Sequence, residues 1–105
     1  MRSSAVTVIL IAVSALFSHA FAVDDADALA LMRKHCVMCH AAKPTHESFQ
    51  EAPKNIVLET IADLRKHAAI ISSQTVQTHA MPLGNQSGMT EEERATLAQW
   101  LKNRQ

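Results

Sequence analysis

Neither sign of charge is in excess in this 105-residue chain: ten Lys and Arg residues stand against ten Asp and Glu, and the sequence pI is near 7.0. The basic footprint of a protein that neutralises a phosphate backbone is missing, so nucleic acid is not an expected partner. Glycine and proline are scarce, at two and three residues, and no repeat or low-complexity tract occurs, which excludes a disordered or fibrous chain. Aromatic residues make up only 4%, with no tyrosine. No stretch alternates well enough between apolar and polar residues to read as a strand, so the expected class is all-α. Only two cysteines are present, both in one short run, and neither has a pairing partner elsewhere in the chain.

What is there begins with an N-terminus unlike the rest. Met1-Arg2-Ser3-Ser4 is a short positive start, residues 5–17 are apolar apart from Thr7 and Ser14, and Ala20-Phe21-Ala22 sets small residues at an A-x-A cleavage site. This pattern predicts a secretory signal peptide at 1–22 and a domain at 23–105 delivered to the periplasm. An uncleaved anchor is the competing reading, because residues 5–23 carry no Asp, Glu, Lys or Arg and approach the ~20 residues of a bilayer span. The shortness of the strongly apolar part and the cleavage site behind it favour removal, after which no stable membrane insertion is expected. Residues 23–105 number 83 and carry nine basic and ten acidic side chains, net −1. A domain of that size has a limited core, which a disulfide, a metal or a large cofactor is expected to supplement.

The cysteines lie in the run Cys36-Val37-Met38-Cys39-His40. Cys-x-x-Cys-His is the attachment motif of c-type haem. On a helix, positions i and i+3 share a face, so Cys36 and Cys39 can both reach the vinyl groups along one porphyrin edge, and His40 can turn its imidazole onto the iron. Three other chemistries use such residues. A thioredoxin-like redox pair is expected near a βαβ pattern, which this chain lacks. A structural zinc site needs about four ligands, and the remaining histidines are scattered. A plain disulfide in an oxidising compartment leaves His40 unexplained.

Around the motif the pattern is helical. Asp24 or Asp25 caps a first helix with Asp27 in its first turn and Ala28, Leu29, Leu31 and Met32 on its apolar surface. Residues 41–55, with Pro44 and Pro53, read as a loop. Thr60 and Asp63 form a capping pair for a second helix bearing Ile61, Leu64, Ala68 and Ile71 at spacings of three and four. A further helical piece over 73–79 is opposed by the β-branched Thr75, Val76 and Thr78. Residues 81–85 are a loop. Thr90 and Glu93 then make a capping box, with Glu91 and Glu92 in the first turn, Leu97, Trp100 and Leu101 on one face, and Lys102 and Arg104 at the end.

For the sixth position on the iron, Met1 belongs to the leader, Met32 to the first helix and Met38 to the motif. Met89 precedes a helix cap, where an ordinary packing role is expected. Met81 stands in an extended loop stiffened by Pro82 and is the expected ligand. His79, and after it His67, are the rival distal ligands. His19, His35 and His46 are expected to be ordinary residues.

These residues carry a resemblance. A helix ending in the Cys36/Cys39/His40 motif, an intervening helical region, a Met81-Pro82 loop and a capped last helix bearing Trp100 resemble the class I c-type cytochromes over nearly all of residues 24–105. The resemblance implies a small cytochrome c fold with helices packed around one covalent haem c, thioethers at Cys36 and Cys39, and axial ligands His40 and Met81. In that family the first and last helices cross; Ala28 and Met32 stand where it often has glycine and an aromatic, and Trp100 supplies an aromatic side. The family also holds the proximal imidazole through a proline carbonyl, for which Pro44 and Pro53 are both candidates. More narrowly, His79-Ala80-Met81-Pro82-Leu83-Gly84-Asn85 with Gly88-Met89-Thr90 and Glu93-Arg94 resembles the cytochrome c domain ending the bacterial membrane-bound urate oxidases. That likeness implies an electron acceptor for a membrane-bound or periplasmic dehydrogenase or oxidase, a purine-oxidising one included; no urate site of the chain's own is visible.

With His40 and Met81 saturating the iron, one-electron transfer is expected and enzymatic turnover is not. Leu64, Ile71, Leu83 and Leu97 are expected to cover the macrocycle, and Lys43 and Lys54 to lie near its exposed edge, where a redox partner makes a small transient contact. Should Met81 leave the iron open, a small-ligand sensor or peroxidase-like enzyme becomes the alternative, though no acid–base pair at recognisable spacing supports it.

Overall fold

In a computed structural model, residues 2–11 and 22–102 are described. The reading of 1–22 as a leader falls partly outside them, on residues 1 and 12–21, and that of Arg104 as a helix-end charge falls on the undescribed residues 103–105. Residues 2–11 have no regular structure, and their apolar side chains, Val6 and Ile9 among them, are exposed. Among the described residues every regular element is helical and no strand occurs, as the absence of alternation predicts. No described helix is long and apolar enough to cross a membrane.

Helix α1 (Asp25–His35) starts where Asp24 accepts the Asp27 backbone N–H at 3.1 Å while Asp27 accepts that of Asp24 at 3.3 Å. This reciprocal cap satisfies donors the first turn leaves open, and Arg33, Lys34 and His35 complement the dipole at the other end. Ala28, Leu31, Met32 and His35 are buried, a spacing of three and four that makes one face. Helix α2 (Ile61–Lys66) has the expected Thr60–Asp63 box. It does not run on to Ile71 as one helix: at His67 the chain leaves helical geometry, and α3 (Ala68–Ser72) restarts, passing into a wider π-helical turn over Ser73–Gln77. Leu64, Ala68 and Ile71 keep a common buried side through the break. Helix α4 (Glu91–Leu101) has the Thr90–Glu93 box and buries Arg94, Leu97, Trp100 and Leu101.

The core lies where α1 and α4 pack, closed by α3. Ala28, Met32, Leu97 and Trp100 are completely buried there. The Trp100 indole Nε1 donates to Asp25 Oδ1 at 2.9 Å, and the Arg65 guanidinium donates to Asp25 Oδ2 at 2.8 Å. One carboxylate at the start of α1 thus joins the end of α4 and the end of α2. Met89 is buried in this core, as its place before the cap suggests.

Candidate functional site

Helix α1 stops just short of the cysteine motif, rather than carrying it. The Cys36 and Val37 backbone N–H groups both donate to the Met32 carbonyl, at 2.8 and 3.0 Å, and those of Cys39 and His40 donate back to the Cys36 carbonyl, at 3.2 and 2.8 Å. A tight turn presents the motif. Cys36 is buried, Cys39 half-buried, and the two thiols are not joined. Burial pushes the Cys36 thiol up to about 12, with neighbouring Cys39 adding to the effect, and burial also raises Cys39. Both are therefore thiols rather than nucleophilic thiolates at neutral pH.

His40 is fixed from two directions. Its Nδ1 lies 2.8 Å from the Ile56 carbonyl oxygen, and its own carbonyl accepts the Leu58 backbone N–H at 2.8 Å. A carbonyl only accepts, so Nδ1 carries the proton and Nε2 keeps its lone pair for a metal. The acceptor is neither Pro44 nor Pro53. Pro53 acts one step back: its carbonyl accepts the Ile56 N–H at 3.1 Å, closing the 3-10 turn Pro53–Asn55. Lys54 and Asn55 pass through positive φ, 56° and 58°, and that turn swings the Ile56 carbonyl to the imidazole.

Met81 enters from the other side of the sequence. Its backbone N–H donates to the Gln74 carbonyl at 2.8 Å and its carbonyl accepts from Arg94 Nη1 at 2.9 Å. The Met81–Pro82 peptide is cis. Beyond it the loop is laced down at two more points. Asn85 brackets the Met89 backbone, accepting its N–H at 2.9 Å and donating to its carbonyl at 3.2 Å. Ser87 Oγ meets His35 Nδ1 at 2.7 Å.

Between these segments lies a cleft open to solvent. One part, of about 170 Å³, is walled by Pro53, Ile56, Leu58, Ile70 and Ile71; the other, of about 90 Å³, by Cys39, Phe49, Leu83 and Gln86. Cys36, His40, Pro53 and Met81 line both parts. The structure thus brings together all four residues singled out by the sequence: Cys36, Cys39, His40 and Met81. The rival histidines are elsewhere. His79 is exposed, 3.9 Å from Glu91, and His67 sits at the α2–α3 break. His46 borders the smaller part, but its Nδ1 accepts the Ser48 N–H at 3.1 Å and its Nε2 meets Gln86 Oε1 at 3.2 Å, so both nitrogens are engaged. Of the expected covering residues, Ile71 and Leu83 line the cleft, whereas Leu64 and Leu97 belong to the core behind it. Lys54 reaches its wall and Lys43 does not.

The donor set suits a tetrapyrrole better than a bare ion. Among the described residues no group of three His, Cys, Asp or Glu side chains is arranged to hold a metal ion, whereas a porphyrin brings its own four nitrogens and asks the protein only for axial ligands and apolar walls. Three residues around the site escape a reading of the sequence. His35 and Glu93 are read there only as a helix residue and a capping partner, and Arg94 only as part of the run Glu93-Arg94 with no role of its own. A visible signal exists for Arg94 alone, since it stands three and seven residues before Leu97 and Leu101 on the apolar face of α4. The chain matches no protein-family model, no curated protein and no solved structure. The functional reading therefore rests on these residues and their geometry.

Proposed function

We propose that this chain is a monohaem c-type cytochrome of the class I type, an electron carrier exported through residues 1–22 and working as residues 23–105 in the periplasm. The observation that carries this reading is the convergence of Cys36 and His40, from one motif, with Met81, from a distant loop, on one largely apolar cleft, with the His40 Nδ1 proton already committed to Ile56. Cys36 and Cys39 would hold haem c through thioethers, with His40 Nε2 and Met81 Sδ as the axial ligands. A haem held there supplies reversible one-electron exchange at its iron.

The chain's own part is to orient and to shield. The Ile56 carbonyl fixes the His40 tautomer and ring plane. With Met81 as the second protein ligand, a neutral methionine sulfur would favour the reduced state and raise the potential relative to two histidines. Ile56, Leu58 and Ile71 give the cleft an apolar wall that would shield one side of a bound haem from water. Saturated ligation leaves no position for a substrate, so the partner is another redox protein, of which a membrane-bound or periplasmic dehydrogenase or oxidase is the class we favour. A dithiol oxidoreductase is disfavoured, because both cysteines have raised rather than lowered pKa values.

The test is spectroscopic. Protein made with a cytochrome-maturation system is expected to show sharp reduced haem c bands and a haem stain that survives denaturation. The oxidised form is expected to show a weak iron–sulfur charge-transfer band that Met81→Ala removes. A wild type without that band that takes up carbon monoxide readily would instead make the chain a small-ligand sensor or peroxidase-like protein.

A further inference from the structure

Arg94 is a buried cation on an otherwise apolar helix face, its side chain 7% exposed. Its Nη1 donates to two backbone carbonyls from different segments, that of Thr75 in the π-helical turn at 2.8 Å and that of Met81 at 2.9 Å. Its Nε has no hydrogen-bond partner, the nearest carboxylate being Glu91 at 4.0 Å. Burying a guanidinium is costly, and an aliphatic residue continuing the Leu97 and Leu101 face avoids that cost. What an aliphatic residue does not provide is a rigid fork of donors that ties two backbone segments together.

We propose that Arg94 is a positioning residue for the sixth ligand, which deepens the haem reading above and rests on it. Methionine has three rotatable side-chain bonds, and its sulfur stays on an iron only as reliably as its backbone is placed. Arg94 grips the Met81 carbonyl while the Gln74 carbonyl takes the Met81 N–H, so the ligand's backbone is held at both ends. By anchoring to Thr75 as well, Arg94 makes the wall of the cleft and the ligand strap one unit. The preceding residue, Glu93, reaches His35, which holds Ser87 further along the same loop. The first turns of α4 therefore fasten the strap at its beginning and near its end.

The experiment uses holoprotein: wild type, Arg94→Met, Arg94→Gln and Leu97→Ala, the last a buried residue on the same helix face. Each is measured for haem stain, far-UV circular dichroism, the iron–sulfur band, and titration of the ferric form with imidazole. External imidazole competes only in the fraction of molecules where the sulfur has left, so loosening the strap tightens its apparent binding. Arg94→Met is expected to keep the stain and the helical spectrum, weaken the sulfur band, and bind imidazole roughly tenfold more tightly, the scale of one lost charged hydrogen bond. Arg94→Gln is expected to fall between it and wild type, and it decides the matter should Arg94→Met fail to fold. Leu97→Ala is expected to lower the melting temperature with little change in imidazole binding. Arg94 variants with the wild-type imidazole affinity overturn the proposal, as does a shift equally large in Leu97→Ala, which would mark a merely structural role. Absence of the sulfur band from the wild type itself overturns the ligand assignment beneath it, a failure visible before any Arg94 variant is made.

Discussion

Glu93 shows how much one side chain can hold. Its Oε1 accepts the Thr90 backbone N–H at 3.1 Å, and its Oε2 accepts from His35 Nε2 at 2.9 Å and Lys34 Nζ at 3.1 Å. The His35 hydrogen bond first, then the Thr90 N–H, with Lys34 adding, bring its carboxyl down from the ordinary 4.5 to about 2. A depressed carboxyl stabilises the fold fully above its unfolded value and loses that contribution as pH falls through the folded one. Urea midpoints of the wild type are therefore expected to fall between about pH 4.5 and about pH 2 more steeply than those of Glu93→Gln, which keeps a capping side chain but no titratable group. Parallel midpoint curves for the two proteins would refute the assignment. The sequence shows Glu93 only as the capping partner of Thr90, a contact three residues long. Its bond to His35 spans 58 residues, a distance over which periodicity and spacing carry no information. The same limit applies at His40, where proline was the expected acceptor and the Ile56 carbonyl is the actual one.

At the scale of the elements, the capping boxes were legible because a cap is a local exchange between a side chain and a backbone N–H three residues away. Those at Thr60 and Thr90 form as the residue pattern predicts, and at the first helix the cap left open between Asp24 and Asp25 is Asp24, with Asp27 completing a third box. The break at His67 was not legible, since Leu64, Ala68 and Ile71 preserve helical spacing across it and the apolar pattern is blind to one distorted residue. Packing of α1 on α4 places Ala28, Met32 and Trp100, all fully buried, in one core cluster. Met32→Ala removes a large side chain from this contact and is expected to cost about 2–5 kcal/mol, the range for emptying such a core site. Denaturant unfolding of the holoprotein measures it, and a loss well under 1 kcal/mol would mean the helices close over the gap.

For the molecule as a whole, residues 23–105, 83 residues if the proposed leader is removed, have little core to spare, and a covalent haem filling the cleft would add apolar contact. Protein secreted with the maturation system is expected to have the intact mass of residues 23–105 plus one haem. A mass that retains residues 1–22 would support the anchor reading, and one without haem would remove the cytochrome reading. The sequence by itself determined the helical class, the caps and the chemical identity of the four site residues, because each follows from a pattern a few residues long. Only the tertiary structure decided that Met81, the residue already favoured over His79, lines one cleft with His40 while His79 stays exposed, that Ile56 holds the His40 imidazole, and that Arg94 and His35 fasten the Met81 loop. Those choices depend on which distant backbone carbonyls and hydroxyls are carried into reach by the packing of α1, α3 and α4, and packing is a property of the whole chain.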